Sequence, residues 1–257
     1  MNTIIEHMKN HRSIRKYKDQ DVSDDVINTI LEAGMAASSS GNMQSYSIIV
    51  TKDKNVKEKM LKAHFDQSML MDAPVFITFC TDFNRMRLWL ADSNAPMNFD
   101  NFMSFMIASI DSILVSQNVA LAAESMGLGI CYMGTTLASC AEIGDILGCP
   151  DQVVPVVGFS LGYPDESPAE RKRLPMHGLV HRETYKNYST EDIREIYKQR
   201  EVEGFKRYMD NDELRETITK SDVENLAQVY TKLKYTRESH LEYSQTVLDY
   251  LKKSNFL

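Results

Sequence analysis

The chain has 257 residues, of which 43% are hydrophobic and 25% are charged, with a formal net charge of -7. This composition is typical of a soluble globular protein, and the length suits a single α/β or α+β domain. It excludes disorder throughout, and the acidic balance disfavours nucleic acid as the main partner, because neutralising phosphates requires a basic face.

The first half of the chain predicts helices and β-strands that follow one another. Ser23 and the acidic residues after it form a helix-start signal, followed by apolar residues at helical spacing. The β-branched run at 47–51 indicates a strand, and the apolar run at 75–80 indicates a second one. Helices are predicted at residues 3–10, from Ser23 into the 30s and around 54–64.

The longest apolar stretch, residues 102–126, has to be tested as a membrane span. It contains Asp111, Gln117 and Glu124. The two ionisable side chains among them, Asp111 and Glu124, are costly to place in lipid. We therefore predict a buried helix of a soluble protein, ended by Gly127 as the residue after its C-cap.

The second half predicts two more strands and then a helical tail. The strands are expected at 130–133 and 153–161, with a helix between them capped by Ser139. From about residue 189 the composition predicts two or three helices, with an apolar stripe of Val247, Leu248 and Leu251 on the last. Together these elements predict a single domain, residues 1–257, with a mixed sheet, helices on its faces and a helical C-terminal extension from about 189.

Two basic clusters stand out in this acidic chain. The first contains Arg12, Ser13 and Arg15, and guanidinium groups with a hydroxyl beside them are suited to a terminal phosphate. The second is Arg171-Lys172-Arg173. Each cluster taken alone is more typical of a solvated charged loop, and spacing in sequence does not show that the two meet.

Two further segments have the chemistry of binding loops. The serine-rich residues 38–44 offer hydroxyls and amides, although helix caps and turns use such residues more often. Residues 127–135 contain Gly-Leu-Gly but lack the third glycine of a dinucleotide fingerprint, and they precede a strand. A Rossmann site is therefore disfavoured.

Several catalytic signatures are absent from the sequence. No phosphate-binding loop, zinc-protease motif or nucleophile elbow occurs, and the histidines and cysteines lack metal-ligand spacing, so no metal is expected. With no leader pattern at the start, the four cysteines are interpreted as reduced thiols of a cytoplasmic protein. Hydride transfer on a cofactor needs no protein nucleophile and fits these absences.

Taken together, the segments resemble the nitroreductase superfamily, in its larger class of NADPH-dependent nitroreductases and NADPH–flavin reductases. The resemblance covers roughly residues 3–185 and is weak from about 190 to 240. The residues that carry it are His11-Arg12-Ser13-Ile14-Arg15, Ser38-Ser39-Ser40 with Gln44, Phe79 to Arg85, Ala123 to Gly129, Tyr132-Met133-Gly134, Arg173-Leu174-Pro175 and Leu179-Val180-His181.

This resemblance implies an α+β fold with a mixed, mainly antiparallel sheet flanked by helices. It also implies an interlocked homodimer in which residues 103–126 form a central interface helix, with an FMN in each of two sites at the interface.

The resemblance also implies the roles of individual residues. His11, Arg12 and Ser13 would contact the FMN phosphate with Arg171 and Arg173, and Arg15 would lie near the flavin N1/O2 edge. Ser39 and Gln67 would bond the ribityl chain or the pyrimidine edge, and backbone N–H groups of residues 132–135 would face N5. The full predicted cofactor-binding set is His11, Arg12, Ser13, Ile14, Arg15, Ser39, Gln67, Ser68, Met69, Tyr132, Met133, Gly134, Thr135, Arg171, Lys172 and Arg173.

The implied activity is a two-step exchange, in which NADPH, or NADH, reduces FMN and nitroaromatics, quinones or free flavins then take the electrons. Lys206 and Arg207 are candidates for the nicotinamide nucleotide's phosphate. The flavin carries the chemistry, so no catalytic side chain is predicted. The alternatives are an FMN-binding or sensor protein without efficient turnover, and a helical interaction protein whose basic arm binds nucleic acid.

Overall fold

The computed structural model describes residues 3–257, and Met1 and Asn2 lie outside the described residues. Helices predominate, and strands occur only in the first 162 residues of the described chain. The helices are α1 (Thr3–Lys9), α2 (Asp24–Met35), α3 (Lys54–Leu61), α4 (Met69–Asp72), α5 (Asn84–Asp92), α6 (Phe102–Ser125), α7 (Thr135–Ala138), α8 (Cys140–Leu147), α9 (Thr190–Met209), α10 (Asp212–Lys220), α11 (Leu226–Gln228) and α12 (Arg237–Lys253). The strands are β1 (Tyr46–Thr51), β2 (Val75–Asp82), β3 (Gly129–Tyr132) and β4 (Val153–Gly162).

The four strands form one sheet in the order β1-β2-β4-β3. Every neighbouring pair is antiparallel, with Ile48 opposite Phe79 and Ile130 opposite Leu161. The parallel component is a single bridge between Ser13 and Ile130. The predicted α+β class is confirmed. Each predicted strand exists within one or two residues of its expected ends.

The helix α6 packs on the sheet with only one of its faces. That face is buried and includes Asp111, Ser112, Val115 and Val119. The predicted buried helix is thus buried on its sheet side, and its opposite face exposes apolar side chains in the single chain. Met103, Met106, Ile110, Ile113 and Leu114 are 40–66% exposed. By length and composition α6 would suffice to cross a membrane, but a core helix passes the same test.

Two predicted helix ends follow local sequence signals, and a third does not. The Ser23 side chain accepts a hydrogen bond from the Val26 N–H, and Gly127 has a φ of 80° after α6, as predicted. Ser139 does precede α8, but its side chain makes no capping bond, because it also follows the last residue of α7. The short helices α4, α5 and α7 were not predicted.

The chain divides into two compact units. The first comprises Met1–Ala169 and Tyr243–Leu257 and contains the sheet; the second is Glu170–Glu242. The second unit has a small core of its own around Ile218, Val223 and Val229. The composition change near residue 189 falls inside it, where Ser189 starts α9 with a capping box.

The apolar stripe predicted on α12 is divided between the core and the surface. Leu251 is buried and Val247 packs against the same cluster, whereas Leu248 is 43% exposed. The close approach of this helix to α8 explains Gly144, where a Cβ would lie 2.0 Å from the Tyr250 hydroxyl.

Candidate functional site

The basic segment 11–15 is an arm bound to the edge of the sheet. The Ile14 N–H donates to the Ile130 carbonyl at 2.9 Å, which places the arm beside β3. The Glu166 carboxylate accepts from the Arg15 N–H at 2.5 Å and from the Lys16 N–H at 3.2 Å. Gly129 permits this approach, since a Cβ there would lie 2.6 Å from the Ile14 side chain. The arm is therefore held in place by β3 and Glu166.

A cleft of about 250 Å³ opens beside the arm. His7, Asn10, His11 and Arg12 line it together with Glu124. His11 Nδ1 lies 2.5 Å from the Glu124 carboxylate, so this nitrogen is already engaged. The His7 Nε2 atom is buried and has no hydrogen-bond partner among the described residues. An anion in the cleft would supply a partner for an imidazole N–H there.

The turn after β3 presents backbone donors. The Met133 N–H donates to the Gly158 carbonyl at 2.8 Å, whereas the N–H groups of Gly134 and Thr135 donate to no backbone carbonyl in residues 3–257. A Cβ added to Gly134 would find no atom within 4 Å, so this side of the turn is open. The turn can therefore bind a flat ligand that has a hydrogen-bond acceptor at its edge.

The side chains of the same turn point elsewhere. The Tyr132 hydroxyl donates to Ser116 at 3.1 Å, and burial raises the pKa of Tyr132 to about 12. Met133 is buried in a cluster that also holds Met69 and Phe76. Tyr132 and Met133 can therefore line a ligand only through their backbone.

His64 connects this turn to the segment that contains Gln67. Its Nδ1 lies 2.7 Å from the Thr135 hydroxyl, and the Gln67 N–H donates to the His64 carbonyl. The imidazole is completely buried, packs edge-on against Phe76, and leaves Nε2 without a partner among the described residues. Desolvation lowers the pKa of His64 to about 4, so the ring is neutral at pH 7.

The serine-rich loop is anchored to α6 and not to the arm. Asp111 accepts hydrogen bonds from the Ser40 N–H at 3.0 Å and from the Ser45 hydroxyl at 2.9 Å. The Ser39 hydroxyl accepts from the Gln44 N–H at 3.2 Å. The loop is thus a rigid structure on α6, next to that helix's exposed apolar face.

The second unit has a basic cleft of about 170 Å³. Arg171, Lys172 and Arg173 line it, as do Arg200 and Arg207 from α9, with Glu203 as the acidic residue. The Arg200 guanidinium donates to the Tyr230 hydroxyl at 3.4 Å. Lys206 is exposed and does not line this cleft, although its neighbour Arg207 does. The basic triplet at 171–173 and Arg207 therefore line the same cleft, although they are far apart in the sequence.

Among the predicted residues, the structure thus brings together three groups. They are the arm with the start of β3, the 132–135 turn with the segment of Gln67 and Met69, and the basic triplet with Arg207. Sequence reasoning missed His7, Glu166 and Arg200. The spacing of His7 four residues before His11 was the one available signal, whereas Glu166 and Arg200 lie among many similar charged residues. In residues 3–257, no group of three or more His, Cys, Asp or Glu side chains is arranged to hold a metal ion.

Residues 8–163 match the model of the nitroreductase family. The chain is 36% identical to the NADPH-flavin oxidoreductase of Vibrio harveyi over 194 residues, 76% of this chain and 79% of that protein. It is 35% identical to an FMN reductase (NADPH) of Bacillus subtilis over 196 residues, 76% of this chain and 78% of that one. The structure of the V. harveyi NADPH:FMN oxidoreductase in complex with NAD+ superposes with a TM-score of 0.78 at 30% identity, covering 99% of both chains.

Proposed function

The chain belongs to the nitroreductase family, and from this premise we propose that it is an FMN-dependent oxidoreductase that transfers electrons from NADPH to small flat acceptors. The relatives named as NADPH-flavin oxidoreductase and FMN reductase support this activity, since they share about 35% identity over three quarters of the chain. The observation in the structure that supports it best is the open turn at Gly134 and Thr135, with two unpaired N–H donors.

The residues present are suited to FMN. The buried, partnerless Nε2 of His7 in a cleft with Arg12 suits a phosphate, and the open side of Gly134 suits a ring. When bound, FMN supplies the redox chemistry, because it takes hydride from a nicotinamide and delivers two electrons to an acceptor. The protein supplies binding, orientation and charge.

The residues have distinct proposed tasks. Arg12, with Ser13 and the Nε2 atom of His11, would hold the phosphate in the cleft, and the Arg15 guanidinium would stabilise negative charge on the reduced ring. Gly134 and Thr135 would donate their N–H groups to an acceptor at the edge of the ring. Gln67, Ser68, Met69 and Ser39 remain predicted contacts of the ring and ribityl chain, as do Arg171, Lys172 and Arg173 for the phosphate.

For the phosphate of the nicotinamide nucleotide, the basic cleft of the second unit favours Arg207 over Lys206 as the binding residue. Arg207 lines the cleft with Arg200 of the same helix, whereas Lys206 lies outside it. We expect R207A to raise KM for NADPH by about 10-fold or more with little effect on KM for NADH, since a contact to a charged group contributes about 1.5–3 kcal/mol. K206A is the matched control. An equal rise of KM for NADPH in R207A and K206A would contradict the choice of Arg207.

We further propose a homodimer in the cytoplasm. The exposed apolar face of α6 and the adjacent loop containing Ser39 would be covered by a second copy, so that Ser39 reaches the cofactor site across the interface. A cytoplasmic location suits an enzyme that draws on NADPH and has four cysteine thiols.

The test is the visible absorbance spectrum of the purified protein, recorded before and after anaerobic addition of NADPH and then NADH. We expect a yellow protein whose flavin bands are bleached rapidly by NADPH and restored by a quinone or nitroarene. A flavin that binds but is not reduced would support a binding or sensor protein instead. A colourless protein that also takes up no added FMN would contradict the cofactor assignment.

A further inference from the structure

The loop between α3 and α4 contains an unusual backbone conformation. Phe65 and Asp66 have φ values of 57° and 54°, so two consecutive residues without glycine adopt the left-handed region. Aspartate tolerates this conformation, but a bulky aromatic residue rarely does. Among the described residues, Phe65 is the only aromatic side chain with a positive φ.

Burial does not explain the choice of phenylalanine. Its side chain is 49% exposed, so the strain is not offset by packing in the core. The turn itself closes through backbone bonds, from the Phe65 N–H to the Lys62 carbonyl and from the Asp66 N–H to the Leu61 carbonyl. Such bonds would form equally well with glycine or asparagine at this position. Strain that the fold does not require points to a role for the ring.

The exposed ring is held in one orientation. It stacks on Tyr243 of α12, with ring centroids 5.9 Å apart and an interplanar angle of 25°. Parallel stacking fixes the ring and leaves one aromatic face available to solvent. The pair therefore forms a rigid aromatic surface, which we call the Phe65 platform.

The loop that carries the platform is bonded to the turn of the proposed reaction site. His64, the residue before Phe65, is bonded to Thr135 in the turn that presents backbone N–H donors, and Gln67 follows two residues later. The backbone of the strained loop is therefore attached, through His64, to the turn at which the proposed electron exchange takes place.

We propose that Phe65 is a specificity-determining residue, whose exposed ring stacks on the flat ring of the electron acceptor, a quinone or a nitroarene. This inference rests on the proposed function for the position of the flavin. Tyr243 is a positioning residue that holds the Phe65 ring. The stacking selects aromatic acceptors over acceptors without a ring.

The test measures binding without turnover. 1,4-Naphthoquinone is titrated into the oxidised, FMN-loaded protein by calorimetry, with no NADPH present, for the parent, F65N and F65Y. We expect F65N to weaken binding by roughly 2- to 12-fold, the equivalent of one aromatic stacking contact, and F65Y to match the parent. Y243A should weaken binding less than F65N, and Y243F should leave it unchanged.

Controls separate this role from a structural one. W89A removes an aromatic side chain that is 63% exposed on α5, and it should not change binding. F65N should unfold at no lower temperature than the parent, because asparagine tolerates a positive φ, and it should keep its flavin and its KM for NADPH. Equal quinone binding by the parent and F65N would overturn the proposal, as would an equal loss in W89A.

The two hypotheses fail separately. A parent protein that binds quinone through Phe65 but does not oxidise NADPH would contradict the proposed function and leave the platform supported. A parent that turns over normally, with F65N raising KM for NADPH as much as KM for the quinone, would overturn the platform and leave the proposed function intact.

Discussion

At the residue scale, the two arginines of the arm have different surroundings. The Arg12 guanidinium folds back onto the carbonyls of Asn10 and His11, at 2.8 and 3.0 Å, and lies in the cleft with His7. Arg15 is exposed, and its backbone N–H is held by Glu166. The two side chains therefore have different surroundings, although both carry the same charge.

We expect R12A to weaken FMN binding by about 10- to 100-fold, because a hydrogen bond to a charged group contributes about 1.5–3 kcal/mol. The measurement is a flavin titration of the apoprotein followed by fluorescence. R15A is the matched control, since it should keep more flavin than R12A does and should instead lower the reduction potential of the bound flavin. Full flavin affinity in R12A would remove Arg12 from the phosphate site.

His64 predicts a specific dependence of stability on pH. Its pKa is about 4 in the folded protein and 6.5 as a reference. Between these values the unfolded chain binds a proton that the folded chain excludes. The stability is therefore complete above pH 6.5 and falls as the pH is lowered towards 4, by about 3 kcal/mol in total.

Denaturant unfolding of the parent and H64Q at pH 7, 5.5 and 4.5 checks this prediction. The difference in the free energy of unfolding between parent and variant should shrink as the pH falls, because carboxylate titration is common to both. H177Q, at a histidine that is 59% exposed, should follow the parent at every pH. A pH-independent difference for H64Q would contradict a buried neutral imidazole.

At the element scale, one carboxylate on α6 organises the serine-rich loop. Asp111 is 1% exposed and accepts bonds from Ser40 and from both the N–H and the hydroxyl of Ser45, which is itself buried. Removing the carboxylate would leave these donors without a partner. The conformation of the loop containing Ser39 thus depends on a residue outside it.

We expect D111A to lower the free energy of unfolding by about 3 kcal/mol and to increase amide exchange at Ser40 and Ser45. Denaturant unfolding and hydrogen exchange measure the two effects. The exposed Asp92 provides the control, since D92A should change stability by less than about 0.5 kcal/mol. Unchanged exchange in the loop of D111A would show that other contacts hold it.

At the scale of the whole molecule, the outer face of α6 is an apolar surface that a single chain leaves exposed to solvent. Ile110 and Ile113 are each 53% exposed in the middle of this face. A contiguous apolar face of this kind on a soluble protein marks an interface. We therefore expect light scattering to show a dimeric parent and a monomeric double variant I110E/I113E, and we expect the variant to lose flavin.

The control places a charge on another exposed apolar position. Leu88 on α5 is 61% exposed, and L88E should remain dimeric and yellow. A stable I110E/I113E dimer would mean that the two copies associate through another surface. A monomeric parent with a full complement of flavin would contradict the proposed contribution of Ser39 across the interface.

Local signals in the sequence determined most of the elements. Ser23 and Gly127 set the ends of α2 and α6 through side-chain capping and a positive φ, which depend only on neighbouring residues. Runs of β-branched residues were enough for β1 and β4, whereas the cluster of Arg12, Ser13 and Arg15, taken alone, was more typical of a solvated charged loop. The short helix α7 escaped prediction because it is one turn long, and Ser139, which follows it directly, makes no side-chain capping bond.

Only the tertiary structure decided which residues meet and which faces stay exposed. The bond from His64 to Thr135 joins residues 71 apart, and the engagement of His11 by Glu124 joins residues 113 apart. The choice of Arg207 over Lys206 depends on which side of α9 faces the cleft. The composition of α6 is apolar on all sides, so the sequence cannot say which face the sheet covers. Such facts depend on packing between distant segments, which local propensity and spacing do not encode.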